Sequence, residues 1–200
     1  MRQIKLLIDF QSFSIQKYGG VSRFYSNLID GLKDDNIQII APDFFSDNHY
    51  IDNLKIYTQN KSLSKLKFRG SVRIVSLLNI IKILFFFRKK FDVFMPTYYN
   101  PYFIFFNKKP YFIVVHDMIN ELHPNLFSKF NSIVYQKKRT ILNATSIVAI
   151  SEKTKKDLLN IYPNINPNKI KVIHHGINLD FRKSILDIKL DFEDRKSTRL

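Results

Sequence analysis

The stretch that decides the fold is IKLLIDFQSFSIQKYGGVSRFYSNLIDGL, residues 4–32. Its first part, residues 4–10, is apolar and β-prone, which predicts a strand. In residues 21–32 the apolar side chains recur at helical spacing while Asp30 points to the opposite side, which predicts an amphipathic helix. Gly19 and Gly20 lie at the junction between the two elements.

This glycine pair is a candidate phosphate-binding turn. Because glycine has no Cβ, the backbone N–H groups can approach a ligand closely, and the amino end of the following helix carries partial positive charge. A plain turn or a helix cap would show the same pattern. The stretch is neither a G-x-G-x-x-G motif nor a nucleotide-triphosphate loop ending in Lys-Ser/Thr.

The rest of the chain continues to alternate strands and helices. Further strands are predicted at residues 37–41, 54–57, 92–95, 111–115, 146–150 and 170–173, a polar loop at 43–53, and helices at 126–142 and from a Ser151 cap to about Ile161. Near-continuous apolar strands separated by helices are typical of a parallel sheet that is covered on both faces. The expected fold class is therefore α/β, a Rossmann-like parallel sheet with helices on both faces.

Composition narrows the possible partners. The chain has 200 residues, no cysteine and a formal net charge of +15, so disulfides and thiolate metal sites are excluded. Such a charge indicates an anionic partner such as a phosphorylated substrate, lipid headgroups or nucleic acid. RNA-recognition and helix-turn-helix signatures are lacking, and His174-His175 has no suitably spaced third metal ligand. A non-catalytic anion- or nucleic-acid-binding α/β module stays open as the alternative function.

The segment from Lys55 to Phe91 is unusually basic, with ten Lys or Arg and no acidic residue. Within it, residues 72–87 are mostly apolar. Polar side chains recur at helical spacing from just before this run and through it: Arg69, Arg73, Ser76, Asn79 and Lys82. As a helix this run is roughly 24 Å long, which is short for a membrane span of about 20 residues. Two interpretations remain: a core helix with a solvated basic edge, or a helix that lies in a membrane interface through Lys55 to Lys90.

Polar clusters follow several predicted strands, where parallel sheets collect their ligand sites. His116 is the best catalytic candidate, because an imidazole can donate to a sugar hydroxyl or a phosphate oxygen near neutral pH. Asp117 beside it could anchor the loop or bind a hydroxyl. Tyr98 and Tyr99 begin an aromatic patch that suits either core packing or stacking on a sugar. Ser151 and Glu152 could cap a helix or form part of a cleft.

Four segments, taken in order, resemble the amino-terminal half of GT-B glycosyltransferases of family 4. They are YGGVSRF (18–24), VVHDMI (114–119) with Pro124 following, ATSIVAISEKTKKD (144–157) and KIKVIHHGIN (169–178). No single segment is specific, but their order and spacing match the family over about residues 1–182. This region is therefore expected to form the acceptor-side domain.

The resemblance implies roles for the candidate residues. It assigns Gly19 and Gly20 to the donor diphosphate, His116 to the transferred sugar, and Ser151 with Glu152 to the cleft. Further candidates are Val21 for the donor phosphates, Asp117 for catalysis, and Tyr98 and Tyr99 for substrate binding. The implied reaction transfers a hexose such as mannose, with retention, from a nucleotide-diphosphate sugar to a glycan or lipid-linked acceptor. The implied setting is surface polysaccharide or lipopolysaccharide synthesis in the cytoplasm or at the inner face of the plasma membrane, with no metal, no cofactor and no nucleic acid.

The sequence also departs from that family. Its members have a second Rossmann-like domain with two glutamates eight positions apart, whereas the glutamates here are Glu121, Glu152 and Glu193. Residues 183–200 are therefore expected to be a shortened interdomain linker or a non-native tail, the donor domain is expected to be absent, and the isolated chain is expected to be inactive.

Overall fold

The structure, a computed structural model, describes residues 2–32, 36–42, 44–51, 54, 71–128 and 132–176. The strands of this part are β1 Ile4–Ile8, β2 Ile37–Ile40, β3 Val93–Met95, β4 Phe112–Val115, β5 Ser146–Ala149 and β6 Ile170–Val172. The helices are α1 Gln11–Ile15, α2 Gly20–Gly31, α3 Ser71–Phe86, α4 Ile119–Leu122, α5 Ile133–Leu142 and α6 Glu152–Ile161. The predicted boundary near residue 182, the tail at 183–200 and most of the predicted 54–57 strand lie outside the described residues.

Every strand pair in the described part is parallel. One sheet has the order β2-β1-β3, with Leu6 paired to Val93, and the other has the order β4-β5-β6. The two sheets meet where Phe94 N–H donates to the Pro110 carbonyl at 3.0 Å, beside an isolated parallel bridge to Tyr111. Pro110 has no N–H to extend the ladder, which accounts for the break. Because β1 lies between β2 and β3, the strand order reverses there, and such a switch point is a common ligand position.

The core lies on both sides of these strands. Leu7, Ile8, Phe94, Ile113 and Ala149 are each fully buried. Strands that are buried on both faces need helices on both faces. The predicted α/β Rossmann-like class is confirmed.

The predicted helix at 126–142 is wrong in its first part. Pro124–Leu126 forms a 3-10 turn, Phe127 is extended at φ −123° and ψ 156°, and α5 begins only at Ile133. Leu126 is 74% exposed and Phe127 is 36% exposed, so these two apolar residues do not continue a core-facing stripe. The predicted loop at 43–53 holds for its described residues 44–51 apart from the 3-10 turn His49–Ile51, but it is not simply polar, because Phe44 and Ile51 belong to the core.

Helix α3 departs from the sequence prediction at Asn79 and Lys82, although Arg73 of the predicted stripe is exposed. Asn79, in the predicted solvated stripe, is fully buried; its Nδ2 donates to the Phe45 carbonyl at 2.9 Å and its Oδ1 accepts from the Phe45 N–H at 2.8 Å. Lys82 of the same stripe lies 3.9 Å above the Phe45 ring. The physical reason is that a buried backbone N–H and C=O require partners. Within the described residues, no helix combines the length and the apolar content needed to cross a bilayer.

Candidate functional site at the carboxyl edge of the sheet

The candidate residues lie where the strands end. Asp9 follows β1, Thr97 lies two residues after β3, and His116 follows β4 directly. Ser151 and His174 come two residues after β5 and β6. In parallel strands these carboxyl ends share one edge, so the fold brings the predicted clusters to the same side of the sheet.

Helix α2 has an open amino end. Its N-cap residue Gly19 is extended, and no side chain caps the helix. The position that a Cβ would take at Gly19 is filled by the amide group of the Gln16 side chain. At Gly20, by contrast, nothing in the described structure lies within 4 Å of that position. The helix therefore presents an uncapped first turn that is open at Gly20, with N–H donors and partial positive charge.

Phe24, one helical turn after Gly20, joins this end of α2 to two histidines. The His116 ring packs edge-on against Phe24 with centroids 5.0 Å apart, and the His175 ring stacks on Phe24 at 4.8 Å. The two imidazoles are 5.5 Å apart. The glycine turn and the predicted catalytic histidine are thus parts of one local cluster.

His116 is held in its neutral form. Burial lowers its pKa to about 4 from the usual 6.5, and the neighbouring His175 acts in the same direction. Its Nε2 atom is buried and has no hydrogen-bond partner in the part of the chain that the structure describes. A buried polar atom without a partner costs free energy, so this nitrogen is suited to gain a partner from a ligand or a water molecule.

The loop that carries His116 and Asp117 is held in place by hydrogen bonds from other parts of the chain. The His116 N–H donates to the Tyr99 hydroxyl at 3.4 Å, and Lys137 Nζ donates to the Asp117 carbonyl at 2.5 Å. The Asp117 carboxylate accepts the Ile119 N–H at 3.1 Å, two residues along the chain. The backbone of both residues is therefore fixed by groups from other elements.

Lys137 also forms a buried ion pair that the sequence did not reveal. Its Nζ lies 3.1 Å from Glu121 Oε2, and the two side chains are only 1% and 3% exposed. The Tyr162 hydroxyl donates to the other Glu121 oxygen at 3.5 Å. This pair connects α5 to α4, immediately after the His116 loop. The partners are sixteen positions apart on separate helices, so no local pattern relates them.

Asp9 is the second residue that sequence reasoning missed. This fully buried carboxylate accepts hydrogen bonds from the Thr97 N–H at 2.8 Å, the Thr97 hydroxyl at 2.7 Å, Gln11 Nε2 at 2.7 Å and the Tyr102 hydroxyl at 3.1 Å. Burial nevertheless raises the pKa of Asp9 above its ordinary 3.8. The network fixes the ends of β1 and β3 at the switch point, and the available signal was an acid directly after the first apolar strand.

The remaining candidates occupy different environments. Ser151 caps α6 as predicted, since its Oγ accepts the Thr154 N–H at 3.1 Å, while Glu152 beside it is exposed. Tyr98 is half-buried and its ring contacts that of Tyr99 at 4.9 Å. Tyr99 is 5% exposed, and its hydroxyl contacts β4 and the His116 loop. Substrate contacts of these four residues stay predictions.

Known proteins resemble this chain in sequence pattern and in fold. The sequence pattern of Glycosyltransferase Family 4 matches residues 18–181. The solved apo form of the lipopolysaccharide outer core galactosyltransferase WaaB superposes with a TM-score of 0.51 at 14% identity, covering 88% of this chain and 46% of the other. A UDP-N-acetylglucosamine 2-epimerase gives 0.54 at 12% identity, covering 85% and 48%.

These likenesses differ in what they establish. At such low identity the two solved structures show the fold alone, and this chain spans about half of their length. No curated protein sequence gives a significant match. The family pattern, in contrast, extends over most of the chain and includes the glycine turn, His116 and Ser151. The chain therefore belongs to glycosyltransferase family 4.

Proposed function

We propose that this domain forms the acceptor-side half of the active site of a retaining hexosyltransferase. The enzyme would move a hexose, mannose being one example, from a nucleotide-diphosphate sugar to a glycan or lipid-linked acceptor. Family membership supports glycosyl transfer. One structural neighbour is a lipopolysaccharide galactosyltransferase, which supports a role in surface polysaccharide or lipopolysaccharide synthesis.

The open first turn of α2 beside His116 is the observation that carries this proposal. Negative charge develops on the departing nucleotide diphosphate during transfer, and preorganised N–H donors at that point stabilise the transition state. Gly19, Gly20 and Val21 would supply these donors. Because Gly20 has no Cβ, and nothing lies within 4 Å of the position that one would take, a phosphate oxygen can come within hydrogen-bond distance of the backbone.

His116 would contact the transferred sugar. A neutral imidazole has one N–H donor and one acceptor nitrogen, so Nε2 could either donate a hydrogen bond to a sugar hydroxyl or accept one from it. Its lowered pKa keeps the imidazole uncharged near neutral pH, so no positive charge is buried between Phe24 and His175. Asp117, Ser151, Glu152 and Tyr98 would bind hydroxyl groups around it, and Tyr99 would act through the His116 backbone.

We expect the reaction to use neither a metal nor a cofactor, as the family resemblance implies. A lipid-linked acceptor would require the domain to work at a membrane surface, and we expect this surface to be the inner face of the plasma membrane. Nucleic acid is not an expected partner.

The test is a titration of the 15N-labelled chain with UDP-hexoses and GDP-mannose, followed through backbone amide shifts. We expect the Gly20, Val21 and His116 amides to move with the diphosphate sugars and to move less with the nucleoside monophosphates. Gly20→Ala should abolish these shifts, because its methyl group enters the open space. Gly31→Ala, at the other end of the same helix and equally unobstructed, is the matched control and should leave them unchanged.

Two results would count against the proposal. One is the absence of amide shifts near α2 at millimolar sugar nucleotide. The other is a set of equal shifts with Gly20→Ala and the parent chain. Shifts that appear only with a single-stranded oligonucleotide would favour the alternative, a nucleic-acid-binding module.

A further inference from the structure

An apolar stripe on α3 is turned toward solvent. Ile74, Leu77, Ile81 and Phe85 recur at helical spacing and are 50%, 57%, 45% and 62% exposed. A surface helix normally directs such a stripe to the core. A contiguous exposed apolar patch in a soluble chain marks an interaction site.

A second element extends this stripe. Phe105 and Phe106, just after the 3-10 turn Pro101–Phe103, are 75% and 57% exposed. Phe106 lines a groove together with Ile81 and Phe85 of α3. We call these six residues, four from α3 and two phenylalanines, the apolar face.

Helix α3 cannot rotate to bury the apolar face. Its opposite side is fixed by the paired hydrogen bonds between Asn79 and the Phe45 backbone and by Lys82 over the Phe45 ring. Ile83 on that side is fully buried. Turning the helix would expose these groups and leave two backbone groups without partners, which is costly.

The rim of the apolar face is basic. Arg73 lies at one end of α3 and Arg88, Lys89 and Lys90 follow the other end, all of them exposed. Lys108 and Lys109, also exposed, come directly after the phenylalanines. Residues 71–91 include no acid, and the next one, Asp92, pairs with Arg2 at 2.7 Å. An apolar centre with a cationic rim is complementary to a bilayer that carries anionic headgroups.

We propose that the apolar face docks on an anionic lipid bilayer, with α3 in the plane of the interface. The six apolar side chains enter the boundary between headgroups and acyl chains, and the basic rim contacts lipid phosphates. The sequence expectation is a helix in a membrane interface with Lys or Arg on the anionic headgroups, and the structure adds which apolar side chains of α3 face outward. The proposal is independent of glycosyl transfer, since lipid binding is measured without a sugar nucleotide.

The test is flotation of the full 200-residue chain with phosphatidylcholine vesicles, with and without phosphatidylglycerol. We expect flotation with the anionic vesicles and a decrease at high salt. Phe85→Asp/Phe106→Asp should lower the vesicle-bound fraction at least about tenfold, and both positions are exposed enough to tolerate the change. Leu126→Asp/Tyr135→Asp is the matched control, because it changes two exposed apolar residues outside the apolar face by the same charge and should not reduce flotation.

Three outcomes would overturn the proposal. They are no flotation with any vesicle, equal flotation of the apolar-face variant and the parent chain, and a concentration-dependent dimer that the apolar-face variant abolishes. The last result would mean that a second copy of the chain covers the face. Circular dichroism of each variant establishes that a loss of flotation is not a loss of folding.

Discussion

Replacing Lys137 with Met tests the buried support beneath the His116 loop. The substitution keeps most of the apolar stem but leaves the Glu121 carboxylate, 3% exposed, without its cation. Breaking a buried ion pair by removing one partner costs about 3–5 kcal/mol, and the Asp117 carbonyl loses a donor worth about 1 kcal/mol more. A domain of ordinary stability, about 5–15 kcal/mol, would be strongly destabilised.

Urea unfolding followed by far-UV circular dichroism measures this loss. With a slope of about 2–3 kcal/mol per molar for a chain of this size, a loss of about 4–6 kcal/mol should lower the midpoint by about 1.3–3 M. Lys138→Met is the control, because Lys138 is the next residue on α5 and is exposed; its free energy of unfolding should change by less than about 0.5 kcal/mol.

A double variant separates the ion pair from simple loss of packing. In Lys137→Met/Glu121→Gln both charges are gone, and the amide oxygen still accepts the Tyr162 hydroxyl. The double variant should therefore be more stable than Lys137→Met alone. If Lys137→Met costs under about 1 kcal/mol, or if the two substitutions destabilise additively, the pair does not support the loop as argued.

Three further predictions concern single residues. The pKa of His116 is lowered to about 4, so its NMR titration should show no midpoint near 6.5; the stability that this residue contributes is present above pH 6.5 and is lost as the pH falls toward 4. The pKa of Asp9 is raised above 3.8, so the stability gained from its protonation is present below pH 3.8 and is lost as the pH rises through the higher value. Over that pH range, the free energy of unfolding of the parent chain minus that of Asp9→Asn should decrease. A constant difference would contradict this. Asn79→Ala should cost about 2–4 kcal/mol in urea unfolding because it leaves the Phe45 N–H and C=O without partners, and a change under about 1 kcal/mol would show that water replaces the side chain.

The functional candidates were predictable where a chemically reactive side chain directly follows a predicted strand. His116 could be named because it lies at the end of an apolar run, where parallel sheets place their ligands. Gly20 could be named because a glycine pair precedes an amphipathic helix, although helix α1 separates it from β1. Their contact through Phe24 could not be read from the sequence, because it joins residues about ninety positions apart. Lys137 was equally hidden, since a lysine on an amphipathic helix is usually at the surface.

The sequence by itself determined the alternation of strands and helices, the cap at Ser151 and the family. These depend on short-range patterns: an apolar run must be buried, and a serine hydroxyl reaches an N–H three residues ahead. Only the tertiary structure decided the start of α5, the outward apolar face of α3, and the burial of Asp9 and the Glu121–Lys137 pair. The physical reason is that a buried polar group must find its partner in space, and here that partner lies on another part of the chain, up to 93 positions away.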